Sequence, residues 1–337
     1  MHPAELRKLL APEYIRTVII ESYEWMHGAI RMLKNQAFEG APDTKKSLSV
    51  IDLYTETFFF CKVKARFQEL EIIKTEDVVP DFDVTKCLRT CMLIDILDGA
   101  HMHQRRLSNW CSAITVFDRI DGRIHAAYVV LPATERLYYA TEHRPGAFSM
   151  EMPGLSRIDA RTVTGATTDD RLDVHPSGRG WNRVPLRLAR GPTALEQATV
   201  CMSSQRCTHL AAIAGIRKYP RLAKWLRHLA NTDRDMREGG IGELAFRFYN
   251  LGGNPMLARI CDSGADVVMD WSGELPNDWV PGAYIAARAG AFLGRPDGTP
   301  ITEQDMGLSL LKPGASRTPY IAASSEQLFR QVVSLLQ

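Results

Sequence analysis

The stretch CMLIDILDGAHMHQ, residues 91–104, decides how this chain is read. A short apolar run leads into Asp95 and Asp98, three residues apart and followed directly by Gly99. Taken alone, the pattern has two readings. It is an ordinary strand-to-turn exit, with the carboxylates capping backbone N–H groups. Or the chain reverses sharply between the two aspartates and turns both carboxylates to one point, where they can hold a cation. In that case Gly99 lets the backbone approach an anion, and the following N–H groups point at it.

Outward from this stretch the texture changes on both sides. Before it, residues 13–36 carry Ile15, Val18, Ile19, Tyr23, Met26, Ile30 and Leu33, mostly three or four apart, which predicts an amphipathic helix. Residues 50–70 read as a second long helix, and Glu71 to Ile73 as strand-like. After it, residues 111–131 read as two strands around the Asp121-Gly122 turn, and ERLYYATE as a third. The second half alternates: ATVCMSS as a strand, THLAAIAGIRKYPRLAKWLRHLA as helix with a break near Pro220, NPMLARICDSGADVVMDW as helix, turn and strand, DWVPGAYIAARAG as a helix, and SSEQLFRQVVSLLQ as a last helix with serine at its N-cap. Residues 150–190 are rich in Gly, Pro, Arg and Asp. They set an expected boundary between an N-terminal α+β domain (1–190) and a C-terminal α/β domain (191–337).

Composition excludes several classes. A chain of 337 residues can bury a large core, and 45% hydrophobic with 24% charged residues is ordinary for a globular protein. A net charge of +2 gives no reason to expect a nucleic-acid partner. The seven cysteines are scattered and form no CxxC pair, against a disulfide framework or a zinc site. No apolar run is long enough to span a bilayer, and MHPAELRKLLAPEY has no signal-peptide core, so the expected location is the cytoplasm, with no membrane partner.

Other carboxylates stand at the ends of elements. Glu76 and Asp77 follow the short apolar stretch at Ile72-Ile73, and Asp278 starts a helix whose first turn holds Val280, Pro281 and Gly282. An oxygen-only set of this kind suits Mg²⁺. Each piece also has a plain structural reading, as a solvated turn or a helix cap. No spacing rule alone assembles them.

Their order resembles the inositol monophosphatase-like family of Mg²⁺-dependent, lithium-sensitive phosphatases. Asp52 in DLYTE is similar to the family's helical D-L-x-x-E, Glu76-Asp77 to its Glu-Glu pair, and Asp95-Ile96-Leu97-Asp98-Gly99-Ala100 to its D-P-I/L-D-G-T. Asn277-Asp278-Trp279-Val280-Pro281-Gly282 is similar to its W-D-x-A-A/P-G. The strands up to Gly146-Ala147-Phe148, the LGGNPMLARICDSGADVVMD stretch and the C-terminal strand and helix agree, so the likeness spans roughly 13–337.

The resemblance implies an α/β (α+β) layered αβαβα sandwich of the inositol monophosphatase/fructose-1,6-bisphosphatase type, often a homodimer, with two or three Mg²⁺ per site. It implies that Glu76 ligates the first metal and orients the attacking water, that Asp95 bridges metals, and that Leu97 ligates through its carbonyl. Asp98 and Asp278 would hold the second metal and Asp52 lie near a third. The N–H groups of Gly99 and Ala100 would hold phosphate, and Asp270 would face a substrate hydroxyl. Glu76, Asp95 and Asp98 are then the catalytic set. The implied activity is a hydrolase's: a phosphomonoesterase releasing phosphate from a small phosphorylated polyol, sugar or nucleotide through metal-activated water.

Departures bear on that expectation. Ala100 replaces a threonine whose hydroxyl helps hold the attacking water in the family. A member with lost or redirected hydrolysis, binding a phosphorylated ligand or running another metal-assisted step, is therefore the alternative. Gly253-Asn254-Pro255 replaces a run of small residues on the substrate side, which makes Asn254 a candidate substrate contact. Arg105 is a candidate partner for a second anionic group, and His101 and His103 read either as a polar loop or as ligands.

Overall fold

Apolar spacing places the first long helix where it is observed. In the computed structural model the described residues are 1–35, 44–74, 88–99, 109–152, 183–186, 188, 191–202, 219–225, 227–228, 231, 247–249, 251–311 and 317–337, without the side chains of 27–54, 74 and 247–248. A short helix α1 (Pro3–Leu9) precedes α2 (Pro12–Asn35), which buries Ile15, Val18, Ile19, Tyr23 and Met26 along one face. α3 (Thr44–Arg66) ends four residues before the expected limit. Leu70 has already entered strand β1 (Leu70–Lys74), which pairs in parallel with β2 (Thr90–Asp98).

From β2 the chain meanders through β3 (Cys111–Asp118), β4 (Ile124–Leu131), β5 (Arg136–Thr141), β6 (Arg144–Glu151) and β7 (Val184–Leu186). These seven strands form one sheet in chain order. The Asp121-Gly122 turn joins β3 and β4 as predicted, with Gly122 at φ +73°. The second sheet has five strands among the described residues. They are β8 (Thr199–Met202), β9 (Arg247–Tyr249), β10 (Val267–Glu274), β11 (Phe292–Gly294) and β12 (Thr318–Ala323), in the order β11-β12-β10-β8-β9. Helix α4 (Gly253–Ile260) precedes β10, and α5 (Pro276–Ala289) follows it. α6 (Glu303–Leu310) starts from a capping box of Thr302 and Asp305. The last helix, α7 (Glu326–Leu336), is capped by Ser325, as expected from the sequence.

Strand alternation sorts the core into layers. Met92, Ile94 and Ile96 pack with Ile15, Tyr23, Phe59 and Val63 under α2 and α3. Cys91 and Leu93 point the other way, into a central cluster with Leu257, Val280, Ala283 and Tyr284 of α4 and α5. That cluster also takes Cys201, Val268 and Tyr320 from the second sheet. The opposite face of the second sheet is covered by Leu328, Phe329, Val332 and Val333 of α7. The order is therefore helices, sheet, helices, sheet, helix: the αβαβα sandwich. No described helix is long and apolar enough to cross a membrane.

Candidate metal centre

A regular strand points residues three apart to opposite faces. Asp95 and Asp98 nonetheless converge, and the register shows how. Asp95 pairs with Ala113 and Asp98 with Cys111, so three steps along β2 match two along β3. One extra residue on β2 is a β-bulge, which reverses the face parity beyond it. The burial pattern agrees: Ile94, Ile96 and Leu97 all enter the cluster under α2, although Ile96 and Leu97 are adjacent. The Ser112 hydroxyl donates to the Ile96 carbonyl inside the bulge, and Tyr23 shares a hydrogen bond with the same hydroxyl. The sharp reversal expected between the aspartates is thus replaced by a bulge in a continuous strand. The turn comes one residue later, at Gly99 with φ +86°. A Cβ there would also press to 3.2–3.3 Å on Asn109 and Trp110, so glycine is required twice over.

The third carboxylate arrives from the helix that follows the second sheet's β10. β10 runs into α5, whose N-cap is Leu275 and whose first turn contains Asp278. The helix begins at Pro276, two residues earlier than expected, because proline is well suited to the first helical position. Asp278 therefore sits inside the first turn, where the helix dipole favours an anion. Oxygens of Asp95, Asp98 and Asp278 all lie within 4.8 Å of one another.

Three carboxylates this close repel one another, and burial adds to the effect. Desolvation pushes the Asp98 carboxyl up to about 6, against hydrogen bonds from Asn254 and Cys111 that favour the anion. Desolvation and then the Asp98 charge push Asp278 up to about 7, while the Arg317 cation pulls it down. The Cys111 thiol donates to Asp98 Oδ2 at 3.4 Å, and burial with the neighbouring aspartates holds it well above the usual thiol range, so it stays protonated. A half-buried, oxygen-only donor set with raised carboxyl pKa values is suited to a hard divalent cation. These residues fit the Mg²⁺ that the sequence resemblance implies.

The remaining sequence-selected residues divide. Leu97 lies in the bulge, with its side chain in the core. Asp270 is 1% exposed, and its Oδ1 accepts from the N–H of Ser272, the N–H of Gly273 and the Ser272 hydroxyl, which closes the irregular end of β10. Its charge also adds to the rise at Asp278. Asn254 requires a correction. It is fully buried, and its amide is occupied: Nδ2 donates to Asp98 Oδ2 at 2.9 Å and to the Asn277 carbonyl at 2.7 Å, and Oδ1 accepts from the Gly282 N–H at 2.9 Å. Both of its N–H groups are used in these contacts, which link Asp98 to the first turn of α5. Glu76, Ala100, Arg105 and the histidines at 101 and 103 lie outside the described residues, as does the side chain of Asp52. Sequence reading missed Cys111 and Arg317: a single cysteine in a strand and an arginine before one carry no motif. Trp279 stacks on Tyr320 in the core, 5.5 Å between ring centroids.

No protein-family profile and no curated protein matches the chain. Solved structures do. The IMPase of Thermotoga maritima superposes with a TM-score of 0.56 at 13% identity, over 96% of this chain and 95% of that one. Inositol monophosphatase II of Staphylococcus aureus gives 0.56 at 14%, over 96% and 91%. SuhB of Mycobacterium tuberculosis gives 0.56 at 16%, over 97% of each chain. At these identities the likeness is one of fold, and it extends over nearly the whole length. The chain thus has the inositol monophosphatase fold, with Asp95, Asp98 and Asp278 gathered where its two sheets approach the central helices.

Proposed function

We propose that the protein is a Mg²⁺-dependent phosphomonoesterase acting on a small phosphorylated polyol, sugar or nucleotide. The observation that supports it most is the convergence of Asp95 and Asp98 from β2 with Asp278 from α5, within 4.8 Å. Packing does not require such a cluster, and without a counter-ion it opposes folding. A bound divalent cation supplies Lewis acidity and lowers the pKa of a coordinated water. The protein's own part is to fix that cation through carboxylates from two layers. Beside it, Gly99 leaves a stretch of backbone without a side chain, over which a phosphate can approach. The substrate class finds support in SaIMPase-II, a protein of the same fold that is known with 2′-AMP and with inositol monophosphate bound.

A panel of phosphate monoesters including these two tests the reading. Phosphate release that EDTA abolishes and added Mg²⁺ restores is expected; release indifferent to EDTA overturns it. The second reading, redirected or lost hydrolysis, is favoured by Ala100. One missing contact to the attacking water is worth about 10²–10³-fold. Weak release by the wild type, raised by about that factor in Ala100→Thr, supports the second reading, and rapid release by the wild type excludes it.

A further inference from the structure

Helix α5 contains an internal proline, and the consequences lead back to the metal centre. Pro281 has no N–H, so the carbonyl of Asn277, four residues earlier, loses its helical donor. Asn254 Nδ2 supplies that donor at 2.7 Å. The next N–H, that of Gly282, goes to Asn254 Oδ1 at 2.9 Å. One side chain thus repairs both sides of the break in the turn that carries Asp278. Its remaining N–H donates to Asp98 Oδ2 at 2.9 Å, across 156 residues of sequence. With the Cys111 thiol donating to the same atom, Oδ2 carries two hydrogen bonds from the protein.

The close fit is built in around this amide. A Cβ on Gly282 would meet Asn254 Cα at 3.0 Å, and a Cβ on Gly253 would meet the Asp278 carbonyl at 3.2 Å. Small residues on both elements let the Asn254 backbone approach α5 closely enough for its side chain to span from Asp98 to the first turn of α5, which carries Asp278. Gly253 is further tied by its N–H to the Tyr320 hydroxyl at 3.3 Å, which in turn donates to Glu274 at the end of β10.

We propose that Asn254 is a positioning residue that presents Asp98, from the first sheet, and Asp278, from the helix after the second, to one divalent cation. This rests on the metal-centre reading above. Losing an outer hydrogen-bond partner of a metal ligand typically weakens binding about 10–100-fold.

Titration of the whole protein with Mn²⁺ in a calorimeter tests it without any substrate. Asn254→Ala is expected to weaken Mn²⁺ binding by about 10–100-fold. Asn254→Ser keeps a polar group beside Gly282 but is too short to reach Asp98, and is expected to show the same loss if the alanine variant folds poorly. In an Asp98→Asn background the loss on adding Asn254→Ala should shrink, since the part acting through Asp98 is already gone and only the part acting through the Asp278 turn remains. Unchanged Mn²⁺ affinity in either single variant, with only a lower Tm for the metal-free protein, assigns Asn254 a packing role and overturns the proposal. Wild-type protein that takes up no Mn²⁺ at millimolar concentration overturns the metal reading beneath it, a result distinct from the first.

Discussion

Asp95→Asn is expected to reduce Mg²⁺-dependent phosphate release by about 10³-fold or more while leaving the metal-free fold at least as stable as the wild type. The first half follows from what the carboxylate does. A metal-activated water and a neutralised phosphate together lower a barrier by several kcal/mol, and each 1.4 kcal/mol is about tenfold. Asparagine keeps the shape and loses the charge. The second half separates a ligand from an ordinary core residue. Asp95 lies within 4.8 Å of two other carboxylates, and removing one like charge relieves the others. An exposed control, Asp121→Asn in the β3–β4 turn, should leave release unchanged, because Asp121 lies at the surface of that turn, where it accepts from the Arg123 N–H. Loss of activity accompanied by an equal loss of metal-free stability would count against Asp95 as a ligand.

The stability of the metal-free protein should fall as pH rises from 5 to 8. Asp98 and Asp278 titrate at about 6 and about 7 in the folded state, and near 4 once unfolded. Between these limits the folded chain binds more protons, so raising the pH favours unfolding. The penalty is absent below about pH 4 and fully present only above about pH 7, and it should read as a fall of several degrees in Tm. Carboxyls held below their usual range, such as Asp118 and Asp305, act the other way and lose their contribution only as pH falls through acid values. Saturating Mg²⁺ at pH 8 should reverse the loss, since binding to the folded state alone adds stability. Melting curves at several pH values, with and without Mg²⁺, check this. The Asp98→Asn, Asp278→Asn double variant should show neither the fall nor the Mg²⁺ response.

Much of the architecture was legible because it rests on local periodicity. Ile15 to Met26 mark α2 at helical spacing, Asp121-Gly122 marks the hairpin, and Ser325 marks the cap of α7. α6 escaped notice although Thr302 and Asp305 spell its capping box. Of the candidate site, Asp95, Asp98 and Asp278 were legible as residues but not as a geometry. Two aspartates three apart on a strand belong on opposite faces, and the bulge that reunites them is a property of the pairing with Ala113 and Cys111. Asn254 illustrates the same limit. Its position in a substrate-side run suggested a substrate contact, whereas its partners are set by a proline 27 residues later and by an aspartate at the end of β2. Such roles arise from tertiary contact, which leaves no spacing to read.

The central claim, that Asp95, Asp98 and Asp278 together hold a divalent cation, meets its most direct test in a crystal soaked with Mn²⁺ and measured for anomalous scattering. An anomalous peak about 2.0–2.3 Å from oxygens of all three aspartates is the predicted result. A well-ordered centre without such a peak at saturating Mn²⁺, or a peak bound elsewhere, would contradict it.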